Sequence, residues 1–265
     1  MDTKQQHFVI DEVPTYQQES GPRYQIRERV IIDAIRNVAG ESCPSNLEVL
    51  DIGAGRGILS LKLARMGFNL TLLDKDKDVL EEAANSFSNL GLVAEFEHRD
   101  IFEYYPKRRF DIVLMSEILE HINDVSALLY VRQNVINDGG CLIVTVPSSG
   151  EWKELPPNPI GHLRLYDKRL LRERLTSTGY FIEEMQYFGG VLLSLYSLRT
   201  KGISSGEIST RLFSIYEYFA PFTARIFLLD SLVFGKLQIF TNNGLIAVAK
   251  AYALSARELL AQTKP

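Results

Sequence analysis

Cysteine is scarce in this chain, and its two cysteines are poorly placed for a structural role. Cys43 lies in a polar segment and Cys141 in an apolar, strand-like run, which excludes a disulfide framework and a CxxC metal motif. The first residues, MDTKQQHFVIDEVP, lack the features of a secretory signal and of an arginine-rich transit peptide. We therefore expect a reducing, cytoplasmic compartment.

Long apolar runs and an excess of positive charge are also missing. The most apolar stretch, FAPFTARIFLLDSLVFGKLQIF, is interrupted by charged residues and proline before it reaches the roughly 20 apolar residues that a membrane helix needs. A net charge of −4 and a pI near 5.7 give no reason to expect a nucleic-acid partner. With 46% hydrophobic and 23% charged residues, the composition is that of a globular protein with a sizeable core.

From residue 47 to residue 147, short apolar runs alternate with segments of helical periodicity. This alternation is typical of an α/β fold, in which parallel strands are joined by right-handed crossovers and helices cover both faces of the sheet. The predicted strands are 47–53, 69–74, 93–98, 110–116 and 139–147, and the predicted helices are 57–67, 76–90 and 125–136.

Past Pro147 the alternation stops at a loop rich in proline and glycine, SSGEWKELPPNPIGH. A helix at 167–179, capped by Asp167, and a strand at 180–188 are predicted to follow. The last strand is predicted at 243–252, so the preceding segment with helical spacing is an insertion. We divide the chain into an N-terminal helical cover (1–46), a core (47–189), an aromatic-rich helical insertion (190–240) and a last strand with a tail (241–265).

The motif VLDIGAGRG places three glycines directly after the first predicted strand. Glycines at this point let the backbone approach a ligand closely, and Asp74, at the end of the second strand, can accept both hydroxyls of a ribose. A dehydrogenase would have GxGxxG and an apolar residue in place of Asp51, whereas here the spacing is GxGxG. The acid suits an adenosine-containing ligand with a cationic amino group, although a tight strand-helix turn without a ligand stays open.

Five motifs together resemble class I S-adenosylmethionine-dependent methyltransferases, in family order over the first 147 residues: VLDIGAGRG, LTLLDKD, HRDIF, FDIVLMSEILEHI and VINDGGCLIVTVP. The resemblance implies a Rossmann-like, doubly wound sheet of seven strands with the last strand antiparallel. It also implies how S-adenosylmethionine binds. Asp51, Gly53 and Gly55 would line its methionine part, Asp74 its ribose, Asp100 and Ile101 its adenine, and Ser116 would lie beside the sulfonium.

Upstream, RYQIRERVIIDAI resembles the family helix that covers the cofactor. We predict that Arg29 supplies a cation near the cofactor's carboxylate. Arg23 and Arg27 compete for this role, and Arg29 as a solvated helix residue is the alternative.

The stretch SEILEH, residues 116–121, would place Glu117, Glu120 and His121 on one face if a helix began there. It resembles the E-x-x-E-H motif of ubiquinone-pathway O-methyltransferases and small-RNA terminal 2′-O-methyltransferases, in which two acids and two histidines are metal ligands. Together with His162 in IGHLRLYD, the resemblance implies a site for Mg²⁺, Mn²⁺ or Zn²⁺ that would lower the pKa of an acceptor hydroxyl.

Other interpretations of these residues stay open. The acids and His121 are also typical of packing on the cofactor side or of a helix start, and His162 with Arg164 would then contact the substrate or pin the loop. His121 or His162 is in each case the candidate catalytic base for a hydroxyl.

The leading functional prediction is an enzyme, an O-methyltransferase acting on a small or lipophilic hydroxyl compound. Transfer to nitrogen or carbon on the same scaffold is an alternative, as is a non-catalytic partner subunit. The insertion carries many aromatic residues, which suit a lid for a phenol, a prenylated quinone precursor or a lipid-linked sugar. Packing on the sheet edge, contact with a membrane surface and a homodimer interface stay open for the same residues.

Overall fold

The computed structural model describes residues 22–148, 153–156, 161–189 and 244–252. The helices are α1 (Pro22–Ala39), α2 (Ile58–Arg65), α3 (Lys77–Asn89), α4 (Asp124–Tyr130) and α5 (Lys168–Ser177). The strands are β1 (Glu48–Ile52), β2 (Asn69–Asp74), β3 (Glu95–His98), β4 (Phe110–Ser116), β5 (Ile136–Pro147), β6 (Lys153–Glu154), β7 (Arg164–Leu165), β8 (Phe181–Phe188) and β9 (Gly244–Ala251).

Seven of these strands form one sheet in the order β3, β2, β1, β4, β5, β9, β8. Strand β9 runs antiparallel to both of its neighbours, whereas the pairs from β3 to β5 are parallel. The prediction of an α/β, Rossmann-like sheet with an antiparallel last strand is therefore confirmed. The predicted helical insertion, 190–240, lies outside the described residues.

Both faces of the sheet are covered, which explains why the central strands are apolar almost throughout. In β4, Val113 packs in the core under α4 and α5, whereas the next residue, Leu114, packs in the core under α1, α2 and α3. Each is at most 1% exposed. The helices therefore lie on two sides, as a doubly wound fold requires.

The position of a ligand crevice follows from the strand order. The chain runs from β1 outward to β2 and β3 and then returns to β4 on the other side of β1. In open α/β sheets, ligands bind beyond the carboxyl ends of the strands at such a reversal. Here the glycine loop 53–57 follows β1, and a short 3₁₀ turn, Leu119–His121, follows β4.

A small two-stranded sheet of β6 and β7 lies beside this edge. Leu163 N, just before β7, donates a hydrogen bond of 2.7 Å to Glu120 O in the 3₁₀ turn. Tyr166 N, just after β7, donates to Pro147 O at the end of β5. The segment containing His162 is thereby attached to the carboxyl edge of the large sheet.

One helix expectation near this edge is wrong, and another is confirmed to within a residue at each end. SEILEH does not begin an α-helix, because Glu117 has a φ of 58°, in the left-handed region, and only the 3₁₀ turn follows it. The helix predicted at 125–136 begins at Asp124, is an α-helix as far as Tyr130, and ends in one π-helical turn. Glu117, Glu120 and His121 therefore do not share one face of a helix.

The division into domains stays a prediction. Helix α1 lies within the predicted cover 1–46 and β9 within the predicted last segment 241–265. Among the residues that the structure describes, no helix combines the length and the apolar character needed to cross a bilayer.

Helix α5 supplies a test of the local folding rules. Asp167 Oδ1 accepts a hydrogen bond of 2.7 Å from Leu170 N, so Asp167 caps the helix as predicted. We expect Asp167→Ala to lower the free energy of unfolding by about 1 kcal/mol, since the cap is lost. Urea denaturation measures this value. Asp167→Asn keeps an acceptor and should stay close to wild type, and equal stability of the alanine variant would contradict the assignment.

Candidate active site

The glycine loop after β1 is held by hydrogen bonds to the end of β2. Gly53 N donates to Leu73 O at 2.7 Å, and Gly55 N donates to Asp74 Oδ2 at 2.8 Å. Gly55 has a φ of 55°, and a Cβ built on it would meet no atom within 4 Å. The loop therefore leaves open space above Gly55, into which a ligand can approach the backbone.

The two predicted acids of the loop have different surroundings. Asp51 is 4% exposed, and its Oδ2 accepts a hydrogen bond of 2.6 Å from Ser60 Oγ. Burial raises the pKa of Asp51 to about 6, against the effect of the Ser60 hydrogen bond, and the charge of Asp74 raises it further. Asp74 is half-buried and binds two backbone amides, those of Gly55 and Asp76.

A hollow of about 230 Å³ lies beside Asp74, and Asp100 and Ile101 line it together with Gly53 and His121. Asp100 Oδ1 accepts a hydrogen bond from Phe102 N, which fixes the turn that carries Ile101. The structure thus brings the residues predicted for the ribose and the adenine to one hollow.

A larger cleft of about 670 Å³ continues from Gly53 toward α1 and the turn after β4. Ser116, predicted beside the sulfonium, lines this cleft at the end of β4, and its hydroxyl lies 3.0 Å from that of Thr145. The other predicted site residues that line it are Asp51, Gly53, Gly55, Glu117, Glu120, His121 and His162. A third hollow, of about 720 Å³ at β3 and the start of β4, contains none of the predicted site residues.

The predicted cofactor cation, Arg29, is absent from the residues that line either hollow around the glycine loop. Its Nε binds Asp33 Oδ2 at 2.9 Å in an exposed pair along α1. Arg23 and Arg27, the two competing candidates, both line the larger cleft. We therefore move the assignment from Arg29 to these two arginines.

Three of the four predicted metal ligands lie together. The candidate ligand atoms of Glu120, His121 and His162 all lie within 4.8 Å of one another. His162 Nε2 is 4.0 Å from Glu120 Oε1, and the two imidazole rings meet edge to face with centroids 4.8 Å apart. Glu120 is fully buried, and neither of its carboxyl oxygens has a hydrogen-bond partner among the described residues.

The orientation of His121 is set by the loop that carries His162. His121 Nδ1 lies 3.3 Å from Gly161 O. A carbonyl oxygen only accepts, so Nδ1 carries the proton in this contact, and in a neutral imidazole the lone pair is then on Nε2. That nitrogen is therefore available as a metal ligand or a base.

Glu117 is placed differently from the other three. Its Oε2 is 2.7 Å from Arg23 Nη2 and 3.4 Å from Arg27 Nη1, and its Oε1 is buried without a hydrogen-bond partner in the described parts of the chain. The predicted set of four ligands is thus a cluster of three with a neighbouring acid that binds arginines.

Near the cluster lies a charge network centred on the buried Asp124, in which Arg164 pins the loop, one of the interpretations that the sequence left open. Asp124 Oδ2 accepts a hydrogen bond of 2.9 Å from Tyr166 Oη and lies 3.2 Å from both Arg164 Nη1 and Arg174 Nε. Arg164 also donates to Leu119 O. Since Arg164 and Tyr166 belong to the segment after His162, this network fixes that segment against the 3₁₀ turn.

Burial shifts the pKa values of the cluster in opposite directions. It raises the pKa of Glu120 to about 8, and the negative charge of Glu117 contributes to the increase. Burial, followed by repulsion from His121, lowers the pKa of His162. At neutral pH the arrangement therefore favours a neutral His162 that can accept a proton and a Glu120 that binds one.

Comparison with known proteins identifies the family. A family model described as a methyltransferase domain matches residues 23–184, more than half of the chain. The chain belongs to this methyltransferase family. The matched range runs from α1 into β8 and so includes the glycine loop, the 3₁₀ turn and His162.

The methyltransferase domain also matches individual relatives. It is 32% identical over 118 residues to a ubiquinone biosynthesis O-methyltransferase of Bradyrhizobium sp. (strain ORS 278), covering 44% of this chain and 46% of that protein. It is 26% identical over 157 residues to the protein of the same name from Rickettsia canadensis (strain McKiel), covering 54% of this chain and 66% of that protein. The chain spans about half the length of the first curated relatives that it matches.

Solved structures show the same fold at low identity. The cyclase SpnF superposes with a TM-score of 0.59 at 18% identity, covering 86% of this chain and 81% of that one. Magnesium protoporphyrin IX methyltransferase from Synechocystis PCC 6803, solved with bound SAH, gives a TM-score of 0.55 at 14% identity, covering 90% and 89%. These similarities support the fold of the methyltransferase domain. Its reaction has to be inferred from the residues of the site.

The raised pKa of Glu120 predicts a pH-dependent loss of stability. In the unfolded chain this carboxyl ionises near its ordinary pKa of 4.5, and in the folded chain near 8. Between these values the unfolded state releases a proton that the folded state retains, so the contribution of Glu120 becomes steadily more unfavourable as the pH rises from about 5 to 8. We expect Glu120→Gln to match wild type near pH 5 and to be more stable at pH 8.

Urea denaturation at both pH values, with a chelator present, measures this difference. Glu81→Gln, on the exposed face of α3, serves as the control and should not change the pH dependence. A Glu120→Gln variant with the pH profile of wild type would show that Glu120 is already ionised at neutral pH.

Proposed function

We propose that this chain is an S-adenosylmethionine-dependent O-methyltransferase that acts on a hydroxyl group of a small or lipophilic compound. One observation carries the proposal: the glycine loop and the cluster of Glu120, His121 and His162 line the same cleft. A methyl donor bound at the loop would thus lie next to groups suited to an acceptor hydroxyl.

The cleft and the adjoining hollow fit the parts of S-adenosylmethionine. Asp74, half-buried at the end of β2, suits the ribose hydroxyls, and the open space over Gly55 suits a chain passing close to the backbone. Asp51, Arg23 and Arg27 line the same cleft as Gly55. A ligand with an amino group and a carboxylate at one end meets both signs of charge there.

The chain's own contribution to catalysis is alignment and proton removal. The cofactor, when bound, supplies a methyl group on a positively charged sulfur. The cleft holds the acceptor in line with that methyl, and a base must remove the hydroxyl proton because a neutral hydroxyl is a weak nucleophile. His162, whose pKa is lowered by burial, is neutral and suited to accept that proton. His121, with its lone pair on Nε2, is the second candidate.

A divalent cation also fits the cluster. The two carboxyl oxygens of Glu120 are buried and lack hydrogen-bond partners within the described ranges, and burying them so is costly. With the imidazole nitrogens of His121 and His162, they form a mixed oxygen and nitrogen donor set suited to Mn²⁺ or Zn²⁺, and less strictly to Mg²⁺. Such a cation would make an acceptor hydroxyl more acidic.

The relatives support oxygen as the acceptor atom, since those described above are named as O-methyltransferases. The fold does not decide the reaction, because a similar fold occurs in the cyclase SpnF. Transfer to nitrogen or carbon would not need the cluster of Glu120, His121 and His162. The cluster, and not the fold, therefore favours a hydroxyl substrate.

The cofactor assignment predicts the effect of changing Asp74. Asp74→Ala should weaken the binding of S-adenosylhomocysteine by about 1–3 kcal/mol, because buried hydrogen bonds to the ribose are lost. Isothermal titration calorimetry measures this affinity. The matched control is Asp78→Ala, an exposed acid in the first turn of α3, which should bind like wild type. Equal affinity of the wild-type protein for NAD and S-adenosylhomocysteine would refute the assignment.

The cation assignment predicts the effect of a chelator. Methyl transfer to the acceptor should stop in chelator and return with Mg²⁺, Mn²⁺ or Zn²⁺, while the protein in chelator still binds S-adenosylhomocysteine. Glu120→Ala should reproduce the loss of activity, because it removes one ligand from the cluster. Full turnover by the wild-type protein in chelator would instead leave His121 or His162 as a simple base.

A further inference from the structure

Two arginines of α1 and one glutamate after β4 form a bridge across the larger cleft. Arg23 and Arg27 are one helical turn apart, so both reach the same carboxylate oxygen of Glu117, at 2.7 and 3.4 Å. The Glu117 side chain is only 14% exposed. These ion pairs are close and partly desolvated, and they join a helix to a loop that is distant in the chain. Arg23 and Glu117 are 94 residues apart in the sequence.

The backbone of Glu117 is held in an unusual conformation. Its φ of 58° is the one positive value at a non-glycine residue in the described parts of the chain. Glu117 N donates a hydrogen bond of 2.9 Å to Thr145 O, which fixes this conformation. Strained backbone of this kind is concentrated at functional sites. The strained backbone therefore indicates that the position of the Glu117 carboxylate serves a function.

Glu117 also lies close to the Glu120, His121 and His162 cluster. It lines the same cleft, and its charge acts on both Glu120 and His162. One of its oxygens, Oε1, is buried and has no hydrogen-bond partner in the described residues, whereas Oε2 binds the arginines. Glu117 thus binds the arginines through one oxygen and lies in the same cleft as the cluster that would hold a cation.

The proposed cofactor carries a competing carboxylate. Its amino-acid end would lie in the cleft between Asp51 and the two arginines, as argued above. Guanidinium groups bind carboxylates strongly and with defined geometry. The cofactor's carboxylate and Glu117 therefore offer the same type of partner to the same two side chains.

We propose that Glu117 exchanges partners: the carboxylate of the cofactor takes Arg23 and Arg27, and Glu117 then completes a cation site with Glu120, His121 and His162. The inference rests on the proposed function, since it needs both the cofactor and the cation. It assigns to Glu117 a role in coupling the two sites. The cation then binds tightly only where a methyl donor is already present.

The exchange predicts thermodynamic coupling between two ligands. If the cofactor releases Glu117, the cation must bind more tightly in its presence, and the cofactor must gain the same factor from the cation. A ligand that occupies the hollow beside Asp74 but carries no carboxylate leaves Glu117 bound to the arginines. Adenosine is therefore a probe for the binding of the nucleoside part alone.

The experiment is a Mn²⁺ titration of the whole chain by calorimetry, alone, with saturating S-adenosylhomocysteine and with saturating adenosine. We expect S-adenosylhomocysteine to tighten Mn²⁺ binding by a factor in the range of about 5 to 150, and adenosine to leave it unchanged. Glu117→Gln keeps the size of the side chain but not its charge, and should abolish the effect of S-adenosylhomocysteine. Asp33→Asn, which removes a carboxylate that pairs with Arg29 on the same helix, should retain it.

The outcomes separate this inference from the proposed function. Equal Mn²⁺ affinity in all three conditions would overturn the exchange and leave the cation site intact. Coupling that persists in Glu117→Gln would overturn the role of Glu117. Absence of Mn²⁺ binding in every condition would remove the cation and the exchange together, while failure to bind S-adenosylhomocysteine would remove the proposed function itself. The wild-type arms are decisive even if Glu117→Gln does not fold.

Discussion

The buried carboxylate of Asp124 holds together the two segments that form the reactive end of the cleft. Tyr166, Arg164 and Arg174 all bind it, and it lies at the start of α4, directly after the 3₁₀ turn. A buried charge with several charged and hydrogen-bonding partners favours a single arrangement of these side chains. Loss of any partner leaves a buried charged or polar group without compensation. The separation of Glu120 from His162 depends on this arrangement, because one segment carries the glutamate and the other the histidine.

Glu120 contrasts with Asp124, although the two carboxyls are four residues apart. Asp124 is 3% exposed and has a phenol and two guanidinium groups as partners, whereas Glu120 is 0% exposed and has no hydrogen-bond partner in the described parts of the chain. Burial without compensation is unfavourable for folding. The first carboxylate is therefore explained by stability, whereas the binding or catalytic role proposed above would account for the second.

Much of the fold was predictable because it depends on local patterns. The strands 69–74 and 110–116 were predicted with the bounds they have in the structure, since continuous apolar runs between polar turns are typical of a sheet covered on both faces. The cap Asp167 was equally evident. The conformation of Glu117 was not predictable from the sequence. Its positive φ depends on the hydrogen bond to Thr145 O and on the ion pairs with the arginines of α1, and these partners are distant in the chain. The sequence could not show that Arg23 and Arg27, and not Arg29, line the cleft, since helical periodicity does not show which face meets it.

The charged side chains of the candidate site influence one another, and each would be unfavourable in the cleft without its partners. The arginines of α1 stabilise an ionised Glu117, and an ionised Glu117 disfavours ionisation of Glu120. A positive charge at the cluster would reverse this last effect, because it would attract both carboxylates at once. Any change in the partners of Glu117 therefore alters the charge of Glu120. The arginines of α1 also act directly on Glu120 and His162, so Glu117 is one part of an electrostatic link between these arginines and the cluster.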